Sequence, residues 1–169
     1  MSYLVLARKW RPKLFNEVVG QQHVVQALQN SILNKKINQA YIFNGTRGVG
    51  KTSIARILTK VLNCKNPKNG EPCNECDQCL AMNENTLLDF QEIDAASRRS
   101  REETMNLLET VPYLPTMSKY KVYLIDEVHM LTKESFNALL KTLEEPPPHV
   151  IFMFATTEIE KVPPTILSR

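Results

Sequence analysis

The chain has 169 residues, of which 43% are apolar and 23% charged, and a formal net charge of +3. That length allows one domain with a small insertion, and the composition is ordinary for a soluble globular fold. The charge balance is too small to indicate nucleic acid by itself, and no apolar run approaches the roughly 18 residues of a membrane span.

The first ten residues carry too short an apolar part for a signal peptide. A cytoplasmic protein with no membrane partner is expected. Residues 14–20 read as a loop with the apolar pair Val18-Val19, ending in glycine. Residues 22–33 place Val24, Val25, Leu28, Ile32 and Leu33 at a helical period, and residues 40–43 read as a short buried strand.

The most informative stretch comes next. Gly45-Thr46-Arg47-Gly48-Val49-Gly50-Lys51-Thr52 fits G-x-x-x-x-G-K-[ST], followed by Ser53. An apolar run precedes it, and an apolar-periodic helix follows over 51–62 (Ile54, Ile57, Leu58, Val61, Leu62). The glycines let the backbone curl round an anion with its N–H groups inward, and the helix adds its positive end. Lys51 would reach the β- and γ-phosphates, and the Thr52 hydroxyl would ligate Mg²⁺. The plain alternative is a tight strand-to-helix turn with an idle lysine. The strand and helix on either side favour nucleotide binding.

Residues 63–80 are polar, rich in Pro, Gly and Asn, and hold all four cysteines, so they read as an insertion. Cys64, Cys73, Cys76 and Cys79 give C-x8-C-x2-C-x2-C. In a reducing compartment this clustering points to metal rather than disulfides. Four thiolates in a short loop suit a tetrahedral structural zinc site. An iron–sulfur cluster is the runner-up, because three of the cysteines recur at intervals of three; free thiols come third. The fourth cysteine lies upstream, no Cys-Pro closes the run, and no open ligand position is evident. A structural zinc is therefore favoured over a catalytic one.

Residues 89–93 alternate weakly, as a strand would, and residues 101–108 read as a helix with acids in its first turn. Residues 113–120 form a loop containing Pro115. Residues 122–125 are a continuous apolar run, a buried strand, and Asp126-Glu127 follow it. A buried parallel strand delivers such acids to the end of the sheet where ligands bind. Asp126 would hold Mg²⁺, directly or through water, and Glu127 would orient and polarise an attacking water. His129 reads as a surface or packing residue rather than a catalytic one. Residues 133–143 form a helix stopped by Pro146-Pro147-Pro148, and residues 150–155 a last buried strand. Thr156-Thr157 at its end leave two readings open: a strand-end cap, or a hydroxyl touching the γ-phosphate or its water. Strands alternating with helices predict an α/β fold, a parallel sheet flanked by helices.

Several stretches together resemble the tau/gamma subunit of the bacterial DNA polymerase III clamp loader. They are Arg8-Lys9-Trp10-Arg11-Pro12, Val18-Val19-Gly20-Gln21, the phosphate loop through Ser53, Glu92-Ile93-Asp94-Ala95-Ala96-Ser97, residues 124–131, residues 136–147 and residues 165–169. The resemblance covers essentially the whole chain, and the cysteine insertion is similar to the zinc module of that family. It implies a P-loop NTPase of the AAA+ type over 1–169, with the zinc-binding insertion at 63–80. It also implies an ATPase that opens a sliding clamp and closes it round primer-template DNA, with ATP, Mg²⁺ and Zn²⁺ as cofactors. The partners it implies are the delta and delta-prime subunits, further copies of the same subunit, the clamp and DNA. By resemblance, Val18 and Val19 would line the adenine pocket with the segment containing Arg11 nearby. Thr157 would be the sensor of the γ-phosphate, and Arg169 would complete a neighbouring subunit's ATP site. Arg98, Arg99 and Lys141 are candidates for DNA phosphate contact, or else solvated surface charges.

The family continues beyond the position of Arg169 with a Cys, a fifth strand, a helical lid and a collar. The expectation is an excised nucleotide-binding domain in which the strand at 40–43 is left on an open sheet edge. Two other function classes compete: another AAA+ remodeller of nucleic acid, such as a branch-migration motor, and a non-hydrolysing ATP- or zinc-binding scaffold. The insertion and residues 136–147 speak against the first. The intact Lys51, Thr52, Asp126 and Glu127 speak against the second.

Overall fold

Four parallel strands form one sheet: β1 (Ala40–Asn44), β2 (Phe90–Asp94), β3 (Lys121–Asp126) and β4 (Val150–Thr156). Their order is β1-β4-β3-β2. The helices are α1 (Gln22–Leu33), α2 (Lys51–Asn63), α3 (Asp77–Asn83), α4 (Ser100–Thr110), α5 (Lys133–Glu144) and α6 (Pro164–Leu167). This is a computed structural model, and it describes residues 11–46 and 50–168.

The central strands β3 and β4 are apolar on both faces because both faces are covered, as parallel sheets require. Successive side chains alternate between two cores. Val122, Leu124, Ile151 and Met153 face a cluster with Leu28 of α1 and Ile54, Ile57, Leu58 and Val61 of α2. Tyr123, Ile125, Phe152 and Phe154 face the opposite cluster, with Leu107 of α4 and Phe136, Leu139 and Leu143 of α5. The expected helix-on-both-faces architecture is the one observed.

Helix starts follow local chemistry. Thr132 caps α5, its hydroxyl accepting from Ser135 N–H at 3.1 Å. Gly50 is the N-cap of α2, and its φ of 85° puts it in the left-handed region that glycine tolerates. α3 was not expected from periodicity. It is seven residues long and is capped by a thiol, Cys76 Sγ accepting from Cys79 N–H. Its position is set by the cysteine cluster rather than by an apolar stripe, and it runs to Asn83, beyond residue 80.

Because all the strands are parallel, Asn44, Asp94, Asp126 and Thr156 lie at the same end of the sheet. Asp94 and Asp126 are register partners there. β1 pairs only with β4, so among the described residues its outer side carries no strand.

Candidate nucleotide site and metal centre

The phosphate loop leaves β1 at Gly45, whose N–H donates to the Thr156 carbonyl at 3.2 Å. Arg47, Gly48 and Val49 lie outside the described residues. The loop ends at Gly50, where an added Cβ would sit 3.8 Å from Val18 Cγ1. Lys51 then folds back across the loop, its Nζ donating to the carbonyls of Gly45 at 2.7 Å and Thr46 at 3.0 Å. One cleft is lined by Gly50, Lys51, Thr52, Ser53, Asp94, Ala96, Asp126 and Glu127. The fold thus brings the loop lysine, the hydroxyl and both acids of the sequence reading together.

Asp126 Oδ1 accepts from Glu127 N–H at 2.9 Å. Burial pushes the Asp126 carboxyl above its usual pKa against that hydrogen bond, and the negative charges of Glu127, Asp94 and Glu92 push the same way. A half-buried carboxylate with a threonine hydroxyl lining the same cleft is the oxygen donor set that a hard cation such as Mg²⁺ takes. The residues present fit that ion.

Glu127 is held in place. Its φ of 52° is left-handed, a conformation few non-glycine residues adopt. Thr157 Oγ1 donates to Glu127 Oε2 at 3.0 Å, and His129 Nε2 lies 3.5 Å from the same oxygen. His129 Nδ1 is 2.8 Å from Thr156 Oγ1, and its Nε2 is 3.2 Å from Glu158 Oε2. Thr156 Oγ1 also accepts from Glu158 N–H at 3.0 Å.

Of the threonine pair, Thr156 is buried at the strand end with its hydroxyl accepting from Glu158 N–H, and Thr157 reaches Glu127. His129 is a packing residue, its side chain 3% exposed, but one that touches Glu127. Sequence reasoning gave no role to Asp94, which lines the cleft. The available signal was an acid ending a strand, in register with Asp126.

Other candidates stand apart. Val18 is buried beside the loop, whereas Val19 is 89% exposed. Arg11 lies with Arg56, Lys60 and Asn83 on the side of α2 toward the insertion. Arg98 and Arg99 are exposed in the turn before α4, and Lys141 is exposed on α5. Arg169 lies outside the described residues.

The four cysteines form a separate centre. Their sulfurs all lie within 4.8 Å of one another. Cys73–Cys79 and Cys64–Cys76 are each 4.0 Å apart, far beyond a disulfide bond and close to the ~3.8 Å edge of a tetrahedron with Zn–S bonds of about 2.3 Å. Backbone N–H groups of Asn66 and Cys73 point at Cys64 Sγ, and those of Glu75 and Cys76 at Cys73 Sγ. Such bonds orient thiolates for a metal. Burial pushes the Cys64 and Cys79 thiols up. At Cys76 burial also acts upward, but N–H groups and neighbouring thiols outweigh it and bring the group down to about 6. The donor set fits zinc, whose charge would hold all four as thiolates.

Comparison with known proteins follows this geometry. The family described as "DNA polymerase III, delta subunit" matches residues 20–169. The DNA polymerase III subunit tau/gamma of Haemophilus influenzae is 57% identical over 169 residues, covering 100% of this chain and 25% of that protein. The DNA polymerase III subunit tau of Escherichia coli is 59% identical over 169 residues, covering 100% of this chain and 26% of its own. The chain therefore spans about a quarter of the length of these relatives. Among solved structures, the RuvB Holliday junction branch migration motor of Thermotoga maritima matches with a TM-score of 0.60 at 20% identity, over 95% of this chain and 46% of that one. That likeness is one of fold alone. With the cleft and the cysteine centre in place, the chain belongs to the DNA polymerase III delta-subunit family, and within it resembles the tau/gamma subunits along its whole length.

Proposed function

We propose that this chain is the ATP-binding and hydrolysing motor domain of a DNA polymerase III clamp-loader subunit, which uses ATP to load a sliding clamp onto primed DNA. The observation that carries the reading is Glu127, fixed by Thr157 in the cleft that also holds Lys51, Thr52 and Asp126. Lys51 and the N–H groups at the start of α2 bind the phosphates. Thr52 and Asp126 would hold Mg²⁺, which when bound supplies charge neutralisation on the phosphate oxygens. Glu127 orients a water and accepts its proton as the water oxygen attacks the γ-phosphorus and the bond to ADP breaks. Thr157 keeps the Glu127 carboxylate on one rotamer, and its proposed role is to sense the γ-phosphate.

Full turnover is proposed to need a neighbouring subunit, with Arg169 acting on that neighbour's site and delta, delta-prime and further copies of the subunit completing the ring. Arg98, Arg99 and Lys141 remain proposed phosphate contacts for the primer-template. The test is ATPase activity of the full-length protein with its partner subunits, with and without clamp and primer-template. Stimulation by both supports the reading. Turnover that is indifferent to clamp and primed DNA overturns it in favour of another AAA+ remodeller, and no turnover at all in favour of a scaffold.

A further inference from the structure

The segment entering the nucleotide site is held from outside by the cysteine insertion. Residues Phe15–Glu17 form a short 3₁₀ turn whose own N-cap, Leu14, has no side chain able to cap it. The cap comes instead from Glu71, more than fifty residues away. Its Oε1 accepts from Phe15 N–H at 2.7 Å and its Oε2 from Asn16 N–H at 3.3 Å. Glu71 is aimed by a tight hairpin. Lys68 and Glu71 exchange backbone hydrogen bonds at 3.0 and 2.9 Å, across Asn69 and Gly70 with φ of 53° and 75°. These are the two positive values of a type I′ turn. The hairpin tip rests on α1, where a Cβ on Gly70 would come within 3.2 Å of Gln29.

A second anchor lies beside the first. Lys60, on the helix that begins at the phosphate loop, is 3% exposed. Its Nζ uses all three donors, on the Lys13 carbonyl at 2.7 Å, Asn74 Oδ1 at 2.7 Å and Asn83 Oδ1 at 3.0 Å. Asn74 Nδ2 also donates to the Lys13 carbonyl, at 3.3 Å. The hairpin and both asparagines are tied to the cysteine centre. Cys64 and Cys73 close the base of the hairpin, Cys73 N–H on Cys64 Sγ at 3.3 Å, and Asn74 directly follows Cys73. The held segment then runs through buried Phe15 to Val18, which packs beside Gly50 of the phosphate loop.

We infer that the metal-closed insertion is a clamp on residues 13–18, with Glu71 and Lys60 as positioning residues that set Val18 against the phosphate loop, the side of the pocket where the resemblance implies the base would lie. Metal occupancy and ATP affinity are then linked, each raising the other. The inference rests on nucleotide binding at the phosphate loop as proposed above. It deepens that reading by giving the insertion a role in the same site.

The test compares Glu71→Ala with the wild-type chain and with Glu71→Gln, which keeps one accepting oxygen. Binding of ATP and of tripolyphosphate, which has phosphates but no base, is measured by calorimetry in the presence of Mg²⁺. Amide exchange is followed at Phe15 and Asn16. The expected result is faster exchange at both amides in Glu71→Ala, with ATP bound at least fivefold more weakly and tripolyphosphate within twofold of wild type. Glu71→Gln should fall between, and stripping the metal from the wild-type chain with a chelator should reproduce the Glu71→Ala pattern. ATP affinity within twofold of wild type in Glu71→Ala overturns the inference, and so does an equal loss of both ligands. A wild-type chain that binds neither ligand overturns the nucleotide reading itself, and this one with it.

Discussion

Thr157 Oγ1 donates a 3.0 Å hydrogen bond to Glu127 Oε2, joining the chain just past β4 to the chain just past β3. The two residues are 30 apart in sequence and meet only because β3 and β4 are adjacent and parallel. The bond fixes the acid whose backbone is already left-handed. Glu127→Gln keeps the side-chain shape and removes the proton acceptor. Nucleotide affinity should stay within about twofold while turnover in the assembled loader falls by roughly 10²–10⁴, the usual contribution of a general base. Thr157→Val should lower turnover by a smaller factor, with unchanged ATP affinity. Glu127→Gln with wild-type turnover, measured by phosphate release, removes Glu127 from the chemistry.

Lys51 spans the carbonyls of Gly45 and Thr46, poised over the loop rather than out in solvent. Among the described residues its ammonium is the one flexible cation of the cleft lining. Lys51→Ala should therefore raise the ATP dissociation constant by at least tenfold, since charge-assisted bonds to phosphate contribute about 1.5–3 kcal/mol. Calorimetry on the chain with Mg²⁺-ATP checks it. Unchanged affinity moves the nucleotide elsewhere.

The cysteine centre should hold one zinc per chain. Four sulfurs within 4.8 Å of one another, spaced as a tetrahedron needs, leave no position for a reacting ligand. Metal removal should unfold the segment from Cys64 through α3 while the sheet persists, because the insertion contributes no strand to that sheet. Elemental analysis giving less than half an equivalent of zinc, or visible absorbance from iron and sulfide, rejects the assignment.

The parts legible in the sequence are those where one local pattern decides. β3 and β4 are continuous apolar runs that no exposed element could carry, and the phosphate loop is a contiguous string of glycines, lysine and threonine. The ends of these elements fell within a residue or two of the readings. What stayed hidden depends on contacts between distant residues. α3 is a short helix capped by a thiol, so it has no apolar period to find. Residues 63–80 read only as a polar insertion, and nothing in sequence tells that Glu71, just after the Asn69-Gly70 turn, caps a turn at Phe15. Asp94 joins the cleft only through its register with Asp126. Val19, placed at the adenine pocket by resemblance alone, is 89% exposed, which neither residue type nor the local sequence reveals.

Away from the cleft, Asp89 fastens the loop before β3. It is 3% exposed, and its carboxylate accepts from the N–H groups of Thr116 at 2.7 Å, Met117 at 2.8 Å and Ser118 at 2.9 Å. Burial alone would raise its pKa, but those bonds together hold the carboxyl below the usual range. The folded pKa is thus depressed. Its stabilisation is present above the unfolded-state value, near pH 4, and is lost as pH falls through the folded value. Asp89→Asn should destabilise the fold at pH 7 by about 1.5–3 kcal/mol, and the difference from wild type should shrink as pH falls below about 4. Urea unfolding at pH 7 and pH 3 measures both. A difference that is the same at the two pH values refutes the role of the charge.

The open side of β1 makes the last prediction. Phe152 N–H donates to the Gln39 carbonyl at 2.8 Å, and Gly45 N–H donates to the Thr156 carbonyl at 3.2 Å. Backbone groups alternate sides along a strand, so Tyr41 and Phe43 also turn theirs toward β4. Ile42 and Asn44 then point their N–H and C=O groups away from the sheet, where the described residues place no partner strand. The edge carries no charge between Tyr41 and Asn44, so it lacks the usual guard against pairing with another chain. Two adjacent amides should therefore differ sharply in hydrogen exchange: Phe43 protected with the core sheet, Ile42 exchanging close to the rate of an unstructured peptide. At high concentration Ile42 should gain protection as copies pair edge to edge, and a lysine at position 42 (Ile42→Lys) should abolish that gain while leaving Phe43 slow. Equal protection of Ile42 and Phe43 in a chain that sedimentation shows to be monomeric would mean that the edge is already covered, and the argument fails.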